Sequence, residues 1–293
     1  MAIGNLWQKR SKPTISFEFY PGRDEQAAQK LDATIDNLLE LQPDFVSVTF
    51  GAGGSTRKGS YELVKKLKQE KKQLVLPYLA AFGLNPEDLL AIIDSYLALD
   101  ISDIFCVRGD QPKDLEGFQP HPRALAHASD LLAFVSRRYA CHLGAACYPE
   151  GHFEAENKEK DMQYLKLKVA NGAKWTISQF CFDMELFYGF VDRCRAMDIK
   201  VPILTGIMPI HSLKLLENLA KFCGASIPSF LRAELAILPA ADKQAILDFG
   251  IAFAVEQCRQ LLRRGVAGLH FYTMNRSQTV IAIIKQLQAE GHL

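Results

Sequence analysis

A glutamate set between two phenylalanines, in Ser16-Phe17-Glu18-Phe19-Tyr20-Pro21, ends a short β-like run. A carboxyl among aromatic rings is stripped of water, which raises its pKa and suits it to donating a proton near neutral pH. The plainer reading of a lone Glu is an ion pair at a strand end. Arg108-Gly109-Asp110 closes another apolar run, either as a loop-holding ion pair or as a charge placed beside a ligand. In Phe50-Gly51-Ala52-Gly53-Gly54-Ser55-Thr56-Arg57 the glycines permit close backbone approach to a ligand, and Ser55 or Thr56 could cap the following helix, whose N-terminus favours anions. The dinucleotide fingerprint Gly-x-Gly-x-x-Gly is absent, so no Rossmann reading follows. Tyr148-Pro149-Glu150-Gly151-His152 pairs a carboxylate with an imidazole but has no third ligand at helical or hairpin spacing, so no metal site is expected. The Gln179 amide could pair with both edges of a heterocycle or merely fix a loop. Tyr272 and Arg276 straddle the end of one more run, as a phosphate site or as an interior Tyr and a solvated Arg.

The elements that must position these residues alternate. Strand candidates are Thr14 to Phe19, Phe45 to Phe50, Leu74 to Leu79, Asp103 to Val107, Leu143 to Tyr148, Trp175 to Phe180, Pro202 to Ile207 and Gly268 to Tyr272. Most are short apolar or β-branched runs flanked by Gly, Pro or Asp, the pattern of buried parallel strands. Between them, Leu31, Ile35, Leu38 and Leu39 fall on one helical stripe, as do Leu63, Val64 and Leu67. Asn85-Pro86-Glu87-Asp88 supplies an N-cap, a proline at N1 and acids in the first turn, while Asn171-Gly172 and Arg264-Gly265 are stop signals. Eight such units predict an α/β fold, an eight-stranded parallel βα (TIM) barrel in which residues 1–293 form one domain. The loops after the strand C-termini converge on one face, so the residues above share a mouth. Alternation along the first strand points Ser16, Glu18 and Tyr20 inward and Ile15, Phe17 and Phe19 outward. Two stretches exceed the repeat. Asp110 to Pro120 is long for a βα loop and is a candidate lid. About 60 residues between strands seven and eight are enough for two or three helices, so extra helices are expected there.

Composition limits the function. With 48% hydrophobic residues the 293-residue chain can bury a large core, and 34 basic against 33 acidic side chains lack the footprint of a nucleic-acid binder. No apolar run approaches the roughly 20 residues of a membrane span, and Met1 to Lys12 is unlike a signal peptide, so a cytoplasmic protein is expected. Seven scattered cysteines without a Cys-x-x-Cys pair indicate reduced, mostly buried thiols, with neither a disulfide framework nor an iron–sulfur or zinc site.

Taken in order, Ser16 to Pro21, Phe45 to Arg57, Arg108 to Asp110, Tyr148 to His152, Gln179 with Phe182-Asp183, Gly206-Ile207-Met208-Pro209 and His270 to Arg276 resemble methylenetetrahydrofolate reductases over residues 14 to 290. The resemblance implies a flavoprotein barrel holding FAD rather than FMN, which interconverts 5,10-methylenetetrahydrofolate and 5-methyltetrahydrofolate, with NADH as co-substrate. Glu18 is then the general acid, protonating N10 of the bridged folate so that an iminium opens at N5. Asp110 lies near flavin and pterin, tuning the one and supporting positive charge on the other. Thr49, Tyr78, Arg108, Gly109, Asp110, Ala128, Tyr148, His152, Asp161, Lys168, Tyr272 and Arg276 map to the FAD shell. Gln179, Leu219 and Arg276 join Glu18 and Asp110 in contacting substrates.

The chain departs from the family pattern at four places. Tyr78 replaces a frequent His, Ala80 a frequent Thr, and Tyr164 a smaller polar residue. Leu219 replaces a Phe that stacks on nicotinamide, a loss of about 0.5 to 1.5 kcal/mol by analogy with aromatic pairs. Two donor arrangements follow: an ordinary NADH enzyme, in which Leu219 or nearby Phe222 still offers an apolar face, or electrons arriving through an iron–sulfur subunit. A prokaryotic-type homo-oligomer is expected. Competing readings are a pterin-binding methyltransferase barrel and a non-catalytic subunit of a folate complex.

Overall fold

The alternation in the first strand sorts the molecule into two cores. In the structure, a computed structural model, Phe17 and Phe19 are fully buried and pack outward with Leu31, Ile35, Leu38, Val64 and Leu67 of the flanking helices. Ser16 is equally buried but faces inward, its Oγ 2.8 Å from His270 Nδ1. The description covers residues 2–7, 12–51, 54–110, 119–239 and 242–293, with backbone only at 54–56.

Eight parallel strands close in sequence order into a barrel. They are β1 (Thr14–Phe19), β2 (Phe45–Val48), β3 (Val75–Ala80), β4 (Asp103–Val107), β5 (His142–Cys147), β6 (Ala173–Ser178), β7 (Ile203–Ile207) and β8 (Gly268–Tyr272). The helices are α1 (Glu25–Leu39), α2 (Gly54–Gln69), α3 (Pro86–Leu97), α4 (Ala128–Ser136), α5 (Lys158–Ala170), α6 (Met184–Ala196), α7 (Leu213–Cys223), α8 (Ser229–Ile237), α9 (Lys243–Arg263) and α10 (Gln278–Ala289). The stretch between β7 and β8 holds α7, α8 and α9, the extra helices its length predicts. Asn85 caps α3 by accepting the Asp88 N–H at 2.7 Å, and Gly172 and Gly265 follow α5 and α9 at φ of 117° and 71°. All seven cysteines are free and five are buried. No described helix is long and apolar enough to cross a membrane.

Several expectations change. β2 stops at Val48 rather than Phe50, because the chain turns after Thr49 N–H has bonded the Phe19 carbonyl at 3.0 Å. α2 begins at Gly54, so Ser55 and Thr56 fall inside its first turn instead of capping it. The loop there is tied back by Ser60, whose hydroxyl donates to Thr49 O at 2.8 Å and accepts Gly51 N–H at 3.2 Å. Ala52 and Gly53 lie outside the described residues, as do 111–118 of the candidate lid. Tyr20 does not line the interior: β1 ends at Phe19, the chain turns out toward Pro21, and Tyr20 is 38% exposed.

The inner core is Phe45, Leu76, Phe105, Trp175, Ile177 and Leu204, and Ile3 and Leu6 complete it from below. A short 3-10 turn, Ile3–Asn5, carries them to the N-terminal ends of the strands. Gly4 N–H bonds Asp103 Oδ1 at 3.3 Å, and Trp7 Nε1 donates to Ala267 O at 3.1 Å while its ring lies 5.9 Å from that of Trp175. The barrel thus has a floor made of its own first residues, and its open mouth is at the opposite end.

Candidate active site

Strand register sets the level of each side chain. Glu18 pairs with Ser47 on β2 and with Tyr272 on β8, so these three ring the mouth at one height, and His270 lies one inward position below Tyr272. The Glu18 carboxylate is 15% exposed and 4.0 Å from His270 Nε2. Below it, His270 bridges Ser16 at 2.8 Å and Ser47 Oγ at 3.5 Å, a polar layer between the mouth and the apolar inner core.

Two phenols flank the carboxylate. Burial, and after it the Glu18 charge, pushes both Tyr78 and Tyr272 well above the ordinary tyrosine range. Both therefore stay protonated and act as donors. Tyr272 donates to Ser178 O at 2.9 Å, and its ring stands edge-on to His270 at 5.3 Å. It reaches across β7 only because Gly206 has no side chain: a Cβ there would lie 2.2 Å from Ser178 O and 2.5 Å from Tyr272 Cε2.

A second group gathers beyond β4 and β5. Arg108 Nη1 binds the Glu154 carboxylate, and Asp110 is the more distant partner at 3.7 Å. The expected Arg108/Asp110 pair is therefore secondary to Arg108–Glu154, which the β5–α5 loop supplies, and Asp110 stays 66% exposed. Gly109 sits at φ 84°, and a Cβ would lie 2.8 Å from that of Ala80, so the smaller residue at position 80 leaves little space. Tyr148 meets His152 edge-on at 4.6 Å, and the Lys168 ammonium lies 5.3 Å from the Tyr148 ring centre while donating to Ala146 O at 2.9 Å. Burial pushes Lys168 down and Asp161 up, and each opposes the other's shift through its charge. Burial also lowers His152, against the pull of Glu154.

On the third side, Gln179 Oε1 accepts the Phe180 N–H at 3.0 Å, the loop-fixing bond of the plainer reading. Cys223, at the end of α7, is pushed up to about 11 by burial and then by the charges of Asp110 and Glu18, and it also interacts with Gln179. This links α7 to both carboxylates. Leu219 packs into the cluster of Phe180, Leu216 and Ile227, whereas Phe222 is 55% exposed. Arg276 is exposed on the loop after β8, close enough for its charge to act on the Tyr20 phenol. Ala128 is the buried first residue of α4, and the Thr49 backbone is bonded to Phe19 and Ser60. Sequence reasoning missed His270, Ser47, Glu154 and Cys223. Only His270 left a signal, as the inward residue two before Tyr272.

A charged and aromatic mouth above a closed interior suits a flat ligand that exchanges a proton with Glu18. Comparison with known proteins shows the family. The family model described as methylenetetrahydrofolate reductase matches residues 4–288. The chain is 32% identical over 283 residues to 5,10-methylenetetrahydrofolate reductase of Pectobacterium carotovorum, covering 97% of this chain and 93% of that protein. It is 31% identical over 290 residues to methylenetetrahydrofolate reductase (NADH) 1 of Arabidopsis thaliana, but spans only 49% of that longer protein. Among solved structures, an uncharacterized Clostridium thermocellum protein described as binding two copies of 5-methyl-5,6,7,8-tetrahydrofolic acid superposes with a TM-score of 0.63 at 17% identity, covering 98% of both chains. That likeness extends to the fold.

Proposed function

Because the chain belongs to the methylenetetrahydrofolate reductase family, we propose that it interconverts 5,10-methylenetetrahydrofolate and 5-methyltetrahydrofolate as a single FAD-binding catalytic domain. The observation that carries this reading is Glu18, a carboxylate at the barrel mouth with Tyr78 and Tyr272 at its sides and His270 4.0 Å away.

The residues beyond β4 and β5 fit FAD by their chemistry. Arg108, His152 and Lys168 are cations or donors for phosphate, Asp161 suits a hydroxyl-bearing sugar, and Tyr148 offers a ring face. Thr49, Tyr78, Gly109, Ala128, Tyr272 and Arg276 complete the assignment. The bound flavin would supply the hydride chemistry, and the protein supplies orientation and charge. Glu18 protonates N10 of the bridged folate, the N10–methylene bond breaks, and its electron pair stays on nitrogen while N5 carries the iminium. Asp110 supports that positive charge, and Gln179 binds the pterin edge with Leu219 beside it. Anaerobic stopped-flow of the bound flavin with folate tests the reading directly: absence of flavin reoxidation by methylenetetrahydrofolate would overturn it. A protein lacking flavin that transfers a methyl group would instead be the pterin methyltransferase.

Asp110→Asn is expected to make the flavin easier to reduce and the folate half-reaction several-fold slower. Loss of one negative charge favours a reduced, anionic ring but withdraws support from the cation. A flavin potential and folate rate both equal to wild type would leave Asp110 as the outer partner of Arg108.

NADH is the expected donor, consistent with the name of the Arabidopsis relative. The apolar face of Leu219 substitutes for an aromatic one at a modest cost. Leu219→Phe should therefore lower the KM for NADH by about 2- to 12-fold, the equivalent of 0.5 to 1.5 kcal/mol. Slow reduction by both NADH and NADPH, restored by a co-purifying iron–sulfur subunit, would instead assign electron delivery to that partner. A cytoplasmic homo-oligomer completes the proposal.

A further inference from the structure

Backbone pairing between β1 and β8 ends with Glu18 opposite Tyr272, yet the two chains remain joined beyond that point through side chains. Thr273 Oγ1 donates to the Glu18 carbonyl at 2.6 Å. The Asn275 carboxamide then takes the place of the next backbone pair, accepting Tyr20 N–H at 3.2 Å and donating to Tyr20 O at 2.8 Å. The Tyr20 hydroxyl returns to Met274 O at 3.2 Å, and Thr34 of α1 donates to Asn275 O at 3.3 Å. Met274 and Asn275 adopt φ of 52° and 53°, consecutive left-handed conformations that residues other than glycine hold only where their surroundings over-determine them. Their geometry brings the Asn275 side chain back onto β1, 255 residues away.

These bonds grip the backbone at Glu18 and two residues beyond it, and none of them touches the Glu18 carboxylate. They fix where that carboxylate can stand in the mouth. Arg276 follows on the same loop, its N–H donating to Thr273 O at 2.9 Å. We infer that Asn275, together with Thr273, is a positioning residue that holds the proton donor at working distance from its substrate. The inference rests on the assignment of Glu18 as the acid. A displacement of about 1 Å at a reacting group costs on the order of 10² in rate.

The test uses the flavin-loaded protein with Asn275→Ala, with Asn275→Asp (which keeps the acceptor for Tyr20 N–H but loses the donor), and with Glu18→Gln alone and combined with Asn275→Ala. The folate half-reaction is expected to slow about 10- to 100-fold in Asn275→Ala and by an intermediate factor in Asn275→Asp. Flavin content and flavin reduction by the donor should stay within twofold of wild type. Hydrogen exchange at the Tyr20 amide should accelerate. In the Glu18→Gln background Asn275→Ala should cost little more, because a positioning residue has nothing left to position. A wild-type folate rate in Asn275→Ala, equal losses in both half-reactions, or full additivity with Glu18→Gln would overturn the inference. A Glu18→Gln variant that kept wild-type folate turnover would overturn the acid assignment instead, whatever Asn275→Ala did.

Discussion

Glu18→Gln should retain FAD, accept electrons from its donor at the wild-type rate and lose about 10² to 10⁴ in reduction of methylenetetrahydrofolate, the usual range for general acid catalysis. The substitution preserves shape: an amide fills the same place beside Tyr78 and Tyr272. What disappears is a proton that can be given up and regained. Stopped-flow measurement of each half-reaction separates that loss from a binding defect. Folate turnover near wild type would move the acid to another group and leave Glu18 as a partner of the buried His270 layer.

Gly206→Ala should damage both stability and cofactor retention. The added methyl would need space 2.2 Å from the Ser178 carbonyl and 2.5 Å from the Tyr272 ring, and the first of these is backbone. Gly206 is also tied to β6 by its N–H bond to Ser178 Oγ at 3.0 Å. Either β6 and β7 part or Tyr272 swings away and loses its bond to Ser178 O. Overpacking typically costs 1–3 kcal/mol, and a clash with backbone belongs at the upper end, about 3 kcal/mol. Melting should fall by several degrees, with weaker FAD retention in dialysis. Tyr272→Phe is the control, since it removes one hydrogen bond worth about 1 kcal/mol without adding volume. If Gly206→Ala melted like wild type and Tyr272→Phe did not, the phenol rather than the vacant Cβ position would matter.

The sequence displays features whose cause is local. The Phe17/Phe19 face, the Asn85 cap and the glycine stops after α5 and α9 are each set by neighbours within a few residues, and each appears where its pattern places it. Glu18 could be read as inward-facing for the same reason. Its surroundings could not, because Tyr78, His270 and Tyr272 reach it through barrel closure. Arg108 illustrates the failure: Asp110 stands two residues away, but Glu154, 46 residues away, wins because the β5–α5 loop folds back over β4. Ile3, Leu6 and Trp7 stand at i, i+3 and i+4, but so short a stretch gives no sign of which face would be buried or against what, so nothing local marks Ile3 and Leu6 as part of the interior. Ala128 is assigned by resemblance alone, and its position at a helix start carries no comparable local signature.

The floor of the barrel has a consequence for how the protein comes into being on the ribosome. Ile3, Leu6 and Trp7 emerge before the strands they pack against, and the acceptor for Trp7 Nε1, Ala267, is made more than 250 residues later. Throughout synthesis β1 also waits for β8, since Thr14 to Glu18 pair with residues 268–272. The apolar side chains of residues 3–7 thus wait long to be covered, and contacts this distant form slowly while leaving sticky surface open to wrong partners. Chaperone shelter matters most for this molecule in the interval before its final strand is released.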